Sequence, residues 1–537
     1  MPKSLIVFSD GTNNKGGVTH DTNVWRLYQM IDRSGGDQCT FYDDGVGTQD
    51  FAPIKAISGA FGYGLSANIR SAYTFLVRNY EPGDFIYMFG FSRGAYTVRS
   101  LAGFISRCGL VNKRGWPKEQ VGVVATAELE MRIGNAFAAY RSTDDWPSTC
   151  QRHLNLNPVL EFIGVWDTVD AVGLPLDELK PIFGWAYEKL CHKRAYRFRD
   201  RVVSGTRFAR QALSIDDERR TFHPNVWLQA GCYLDEQEHY QSVDLKQVWF
   251  TGVHSNIGGS YPKDGLAYIT LEWMIGELES TNGKAGTIRI QSGAISDVNN
   301  LANQADKLYD SRRGLASYYR YSPRHLERFA RGIDDFYIRM CRYLFPARGE
   351  QETSINVHVS VLDRIQQGTK NYAPLFINDA NGPAGIAFTN QSASRFRQSR
   401  YSGPIDFLQL PDLVTKKLER LVLMRQVAYY FFFTFTLIGL GLGLFTEAPC
   451  EFGGNPGNTL TQAMQCNPLS ERDFVNWSAS VVKSLVPALL ERVVDNAYSY
   501  YRISALIAAL VLLGYTISRY FKHKIAVTAR AAWDTVI

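Results

Sequence analysis

The sequence has no metal-ligand spacing. Cys39, Cys108, Cys150, Cys191, Cys232 and Cys341 are scattered too widely to make a CxxC pair or a cysteine–histidine cluster. They read as reduced core cysteines, and neither a metal nor another cofactor is expected. Cys450 and Cys466 stand close together between two hydrophobic segments, where an oxidising compartment would let them bridge. A stripe of one charge is also missing. The net charge of +6 is spread along the chain without a dense basic cluster in the first 400 residues, so no nucleic-acid partner is expected. The opening MPKSLIVFSDG has too short an apolar run for a secretory signal, and no small-residue cleavage site follows. Internal repeats and low-complexity tracts are absent, and a 45% apolar, 20% charged composition is that of a globular chain able to pack a core. At 537 residues it exceeds what one core usually serves, which predicts a large domain with an appended region.

The appended region is the plainest feature. Residues 427–445 read VAYYFFFTFTLIGLGLGLF without a charge, and a second apolar stretch covers about 497–515 with Arg502 near its start. Each is about long enough to cross a bilayer core. Lys416, Lys417, Arg420 and Arg425 precede the first stretch, Arg519, Lys522, Lys524 and Arg530 follow the second, and the segment between is slightly acidic. The positive-inside rule then places both ends in the cytoplasm. The alternative is a pair of buried helices in a soluble domain. These features divide the chain into 1–410 and a membrane-anchoring region 411–537, with a lid or insertion expected within about 280–400.

In the first part, apolar runs stop at polar residues: LIVFSDG (5–11), DFIYMFGFSRG (84–94), LEFIGVWDT (160–168) and QVWFTGVHSNIGG (247–259). Helical patterns lie between them, such as TNVWRLYQMI and GLAYITLEWMIGEL. Alternating strand and helix predicts an α/β fold, a mainly parallel sheet flanked by helices, with its site at the carboxyl ends of the strands.

Gly90-Phe91-Ser92-Arg93-Gly94 is a G-x-S-x-G sequence between the run FIYMFG and the helix-compatible AYTVRSLAGFI. The pattern alone is weak, but strand, sharp turn and helix together form the context of a nucleophile elbow, with Ser92 as nucleophile. A structural glycine turn is the bland alternative. A serine needs a base, and His254, ending a strand-like run before a glycine-rich turn, is the best candidate, with His358 as competitor. Two acids compete to orient it. Asp216 after ALSI is favoured as the end of the strand preceding the histidine strand, and Asp167 in VWDTVDAVG is the alternative. Backbone N–H groups at Arg93, Gly11 and Thr12 are candidate oxyanion donors. The DGT after the first strand also occurs in aspartyl-nucleophile phosphohydrolases, but Phe8 stands where those need a second aspartate.

Over about residues 4–410 the chain resembles the DUF2235 proteins, an α/β-hydrolase domain family that includes a class of type VI secretion lipase effectors. The resemblance rests on FSDGTNN, TNVWRLY, DDGVGT, the block from AYTFLVRNY to FISRCGLV, GVWDTV, ALSIDDERRTFHP, VWFTGVHSNIGGSY, LEWM, and VHVSVLDR followed by YAPL. It implies hydrolysis of lipid esters, phospholipids foremost, by Ser92, Asp216 and His254. The implied partners are membrane phospholipids and the bilayer, with secretion-apparatus, chaperone or immunity proteins for an effector. The implied location is a bacterial inner membrane with the catalytic domain on the cytoplasmic side, or the target-cell membrane after secretion. One departure stands out: where the family often shows HSDVGG, this chain has Asn256 in HSNIGG. The competing class is a catalytically inactive membrane-anchored scaffold on the same fold.

Overall fold

The computed structural model describes residues 2–11, 14, 16–18, 20–45, 60–112, 123–141, 156–169, 205–227, 232–234, 240–281, 288–324, 326, 355–375, 386–389, 412–445 and 501–534. Strands β1 (Ser4–Ser9), β2 (Gln38–Asp43), β3 (Phe85–Phe91), β4 (Leu160–Trp166) and β5 (Thr206–Ser214) join β8 (Asp244–Phe250), β9 (Ile355–His358) and β10 (Ile386–Thr389) in one eight-stranded sheet. Its order is β10-β9-β8-β5-β4-β3-β1-β2, with each pairing parallel. The short strands β6 (Cys232–Leu234) and β7 (Tyr240–Ser242) form a separate antiparallel pair.

A parallel sheet is covered on both faces, so its strands must be apolar on both sides. In β1, Leu5 and Val7 enter one core with Met88, while Ile6 and Phe8 enter the opposite core with Tyr87 and Phe89. The first core is closed by α2 (Ala60–Asn79), α3 (Arg93–Cys108) and α4 (Val123–Arg141). The second is closed by α1 (Asn23–Met30), α6 (Gly265–Thr281) and α7 (Ala294–Leu301), with the one-turn α5 (His254–Gly258) beside it, and the short α8 (Ser360–Gln366) follows β9. The expected α/β class and helix-flanked parallel sheet are therefore observed. β2 lies on one side of β1 and all later strands on the other, so the chain reverses direction between β1 and β3. In open α/β sheets such a reversal is where ligands bind, outside the carboxyl ends of the strands, and here Asp10 follows β1 and Ser92 follows β3.

By its contacts the chain divides into two compact units, Met1–Thr415 with Ala529–Ile537, and Lys416–Thr528. The second unit contains most of α9 (Asp412–Phe445) and α10 (Tyr501–Trp533). Both helices reach beyond the expected apolar segments, because the flanking lysines and arginines continue the same helices. They run antiparallel. A Cβ on Gly514 would lie 2.8 Å from Phe432 and one on Gly439 3.1 Å from Ile507, so the missing side chains let the helices approach. Leu437, Leu440, Leu506 and Leu512 are exposed on this pair. By length and composition Lys416–Gly441 and Ile503–Trp533 are able to cross a membrane. Cys450, Cys466 and most of the segment joining the helices lie outside the described residues, as do residues 497–500 and large parts of 280–400.

Candidate active site

Ser92 sits between the last residue of β3 and the first of α3, with φ 57° and ψ −121°. For a residue with a side chain this conformation is strained, and it persists only where the surroundings impose it. They do so at two glycines. A Cβ on Gly94 would lie 2.0 Å from the carbonyl oxygen of Ser9, and one on Gly90 would lie 2.6 Å from that of Gly94. Ser92 N–H donates to the Trp166 carbonyl at 3.0 Å, fixing the turn to the end of β4.

His254 opens α5 rather than a loose loop, and it is 4% exposed. Its Nε2 lies 2.7 Å from Ser92 Oγ, and its Nδ1 lies 2.6 Å from Oδ2 of Asp167. An ionised carboxylate only accepts, so Nδ1 carries the proton and Nε2 is left to accept from the serine hydroxyl. Phe91 and Phe222 pack on the imidazole with ring centroids 4.7 and 5.1 Å away. Burial pushes the imidazole below its ordinary pKa, against the pull of Asp167, and the Arg219 guanidinium adds to the lowering. The histidine is therefore held neutral, the form a general base needs.

The structure brings Asp167, not Asp216, to the histidine. The Asp216 carboxylate accepts from Gly252 N–H at 2.8 Å and from the Tyr372 hydroxyl at 3.0 Å, and its own N–H donates to the Gly252 carbonyl at 3.0 Å. It ties the turn that leads to His254 and does not reach the ring; burial pushes its pKa up to about 6. Asp167 lies just past β4, has φ 41°, and aims its carboxylate across the end of β5. Oδ1 accepts from Ser214 N–H at 3.0 Å and Arg324 Nη1 at 2.7 Å, and Oδ2 accepts from Arg324 Nη2 at 2.9 Å. Burial alone would raise this carboxyl; Arg324 and His254 overcome it and hold the group below the ordinary carboxylate range.

Chain order did not single out these supporting groups. Asp217 is fully buried; its Oδ2 accepts from His254 N–H at 3.1 Å and from Arg219 Nη2 at 2.7 Å. Burial opposes its ionisation, and Arg219 more than compensates. The only sequence signal was the doubled acid in SIDD. Arg324 carried none, standing 157 residues from Asp167. Asn256 does not face the imidazole: its side chain accepts from Val253 and Tyr309 N–H at 3.4 and 3.3 Å and donates to the Lys307 carbonyl at 3.2 Å. His358 ends β9, 2.9 Å from Ser360 Oγ through Nδ1 and stacked on Phe250, and burial pushes its pKa down to about 3.

Of the candidate oxyanion donors, Arg93 is the first residue of α3, where first-turn N–H groups lack helical acceptors. Gly11 N–H donates to Oδ1 of Asp10 at 2.6 Å, and Thr12 lies outside the described residues. Asp10 also accepts from Thr22 and Tyr42 hydroxyls at 2.5 and 2.7 Å, and burial pushes it up to about 6. Among the described residues no cluster of three or more histidine, cysteine, aspartate or glutamate side chains is placed to hold a metal ion.

A hydroxyl, an imidazole and a carboxylate thus lie in line at the carboxyl ends of parallel strands. Residues 3–277 match the model of the type VI secretion phospholipase effector Tle1-like catalytic domain. The chain belongs to this family. The match assigns the chain to a family of phospholipase effectors, as the resemblance of the motifs implied, over a stretch that includes Ser92, Asp167, Asp216 and His254. An uncharacterized protein of Saccharomyces cerevisiae is 31% identical over 195 residues, which are 33% of this chain and 28% of the yeast protein. A crystal structure of an uncharacterized protein from Pseudomonas aeruginosa aligns with 95% of this chain and 66% of its own, at 15% identity and a TM-score of 0.31. The chain thus spans less than a third of the yeast relative and about two thirds of the bacterial one.

Proposed function

We propose that the protein is a serine hydrolase that cleaves carboxylic ester bonds of membrane phospholipids, with Ser92 as nucleophile, His254 as base and Asp167 as the orienting acid. The observation that carries this reading is the continuous relay from Ser92 Oγ through His254 to Asp167, with heavy-atom gaps of 2.7 and 2.6 Å. Ser92 Oγ attacks the ester carbonyl carbon as its proton passes to His254 Nε2. The oxyanion is held by N–H groups at the start of α3, Arg93 among them. Collapse of this intermediate breaks the ester C–O bond, and the departing alcohol, a lysolipid, takes the proton from His254. Water then attacks the acyl-serine with His254 again as base, releasing a fatty acid and restoring Ser92 Oγ–H.

Family membership supports the substrate class, and the exposed leucines of α9 and α10 support insertion of that helical pair in a bilayer, where phospholipids are concentrated. As a secreted effector the protein would act on a target-cell membrane, and the producing cell would need an immunity partner. A fluorophosphonate probe should label the wild-type protein and not Ser92→Ala, and a phospholipid panel analysed by mass spectrometry should show lysolipid and fatty acid in equal amounts. Labelling of both proteins, or phosphate-bond cleavage products in place of fatty acid, would refute the reading.

A further inference from the structure

Arg324 is 2% exposed and lies within none of the motifs, yet it makes the closest contact to the orienting acid apart from the imidazole. Its two terminal nitrogens meet the two oxygens of Asp167 in a fork. Nη1 also donates to the Ser214 carbonyl at 2.7 Å, and Nη2 also donates to the Phe222 carbonyl. A carboxylate offers about four acceptor positions. At Asp167 three are taken by Ser214 N–H and the two arms of Arg324, and the fourth is aimed at His254 Nδ1.

Resting on the proposed acyl-transfer chemistry, we infer that Arg324 is its positioning residue: the fork fixes the rotation of the Asp167 carboxylate, so that one lone pair of Oδ2 points at His254, and its charge balances that carboxylate. Asp167 occupies a strained backbone conformation at φ 41°, which persists only where the surroundings impose it, and the Arg324 fork on its carboxylate is one of the contacts that do so. A bidentate guanidinium–carboxylate pair fixes a plane in a way that a lysine ammonium cannot.

The charges around His254 explain what the balance does. Asp167 and Asp217 bear on the imidazole from the ends of β4 and β5, Arg324 pairs with the first and Arg219 with the second, and the Tyr261 and Tyr319 hydroxyls face Arg219. Two negative groups are matched by two positive ones, so protonation of the buried imidazole finds no net negative charge. Burial, the largest influence, disfavours the imidazolium, and with the pull of the two carboxylates offset the base stays neutral in solution more acidic than its ordinary pKa of 6.5 would allow.

Two variants separate the parts of this role, each read as the rate of fluorophosphonate labelling against pH with the full chain in detergent. Arg324→Lys keeps the charge and loses the fork. It should label about tenfold or more slowly on the alkaline plateau, with its acidic limb unmoved. Arg324→Gln removes the charge, and its acidic limb should move up by about one pH unit. A wild-type plateau rate in Arg324→Lys overturns the positioning role, and so does a wild-type limb in a folded Arg324→Gln for the charge. Should the glutamine variant fail to fold, the lysine variant decides alone. NMR titration of carbon-13-labelled histidine, with His254→Gln to assign the signal, reads the same shift without any reaction. Absence of labelling in the wild type therefore counts against the proposed function, whereas an unmoved His254 titration in Arg324→Gln counts against Arg324.

Discussion

The two aspartates competing for His254 differ in what their carboxylates can reach, and this difference is testable residue by residue. Asp167 holds the imidazole from the strand next to the nucleophile, whereas Asp216 is spent on Gly252 N–H and the Tyr372 hydroxyl. Asp167→Asn should reduce turnover by about ten-thousandfold, the loss that follows when the histidine takes the wrong tautomer, and should also cost stability because the Arg324 charge is left unmatched in the interior. Asp216→Asn should stay within about tenfold of the wild type, because the amide still accepts from Gly252 and a displaced turn is its main cost. Steady-state hydrolysis of a short-chain ester by both variants checks this, and the reverse ranking would restore Asp216 as the acid. Ser92 and His254 were legible in the sequence because each announces itself locally, one by glycines around a turn and the other by a strand end before a glycine pair. The acid was not. Ser92, Asp167 and His254 and Ser92, Asp216 and His254 follow the same chain order, and only the side-chain direction at the ends of β4 and β5 separates them. Arg324 was invisible for a related reason, since a buried arginine has the same sequence signature as a solvated one until its partner is known.

At the scale of elements, the site depends on how closely α3 crosses the end of β1. The alternation of apolar runs and helical patterns made this layering readable, because a strand buried on both faces has few polar residues to confuse with a loop. The approach distance was not readable beyond the two glycines. Gly94 lies in the first turn of α3, and an added methyl would meet backbone oxygens of Ser9 and Asp10 at 2.0 and 2.5 Å, atoms that cannot rotate away. Gly94→Ala should therefore force β1 and α3 apart, with a stability loss of about 3 kcal/mol or more and loss of labelling. Gly134, within α4, has nothing within 4 Å of the same hypothetical atom. Gly134→Ala should be neutral or stabilising by up to about 1 kcal/mol, since it removes only a helix-interior glycine. Thermal melting of the two variants beside the wild type reads both effects, and equal midpoints would mean that the crossing is looser than described.

For the whole molecule, the hydropathy and the flanking charges change near the start of α9, where the contacts divide the chain, but the return of the chain to the first unit was not foreseeable. The last turn of α10 belongs to the catalytic unit: Trp533 is 1% exposed within the core formed by Leu213, Trp249 and Val357, and its Nε1 donates to the Pro374 carbonyl at 3.0 Å. Arg530 adds a bond to the Ile365 carbonyl at 2.8 Å, near Tyr372, whose hydroxyl holds Asp216. The signal was a tryptophan in a cationic tail, too common at membrane interfaces to distinguish burial from anchoring. Trp533→Ala should cost the catalytic unit about 3–5 kcal/mol, the range for deleting a buried aromatic side chain. Leu506→Ser, on the exposed side of α10, should leave the catalytic unit's melting unchanged and weaken retention on phospholipid vesicles instead. Loss of probe labelling after stepwise heating measures the first effect and vesicle flotation the second. If Trp533→Ala melts with the wild type, the tail is only a membrane flank; if Leu506→Ser lowers the melting temperature as far as Trp533→Ala, that leucine is packed against protein rather than presented to lipid.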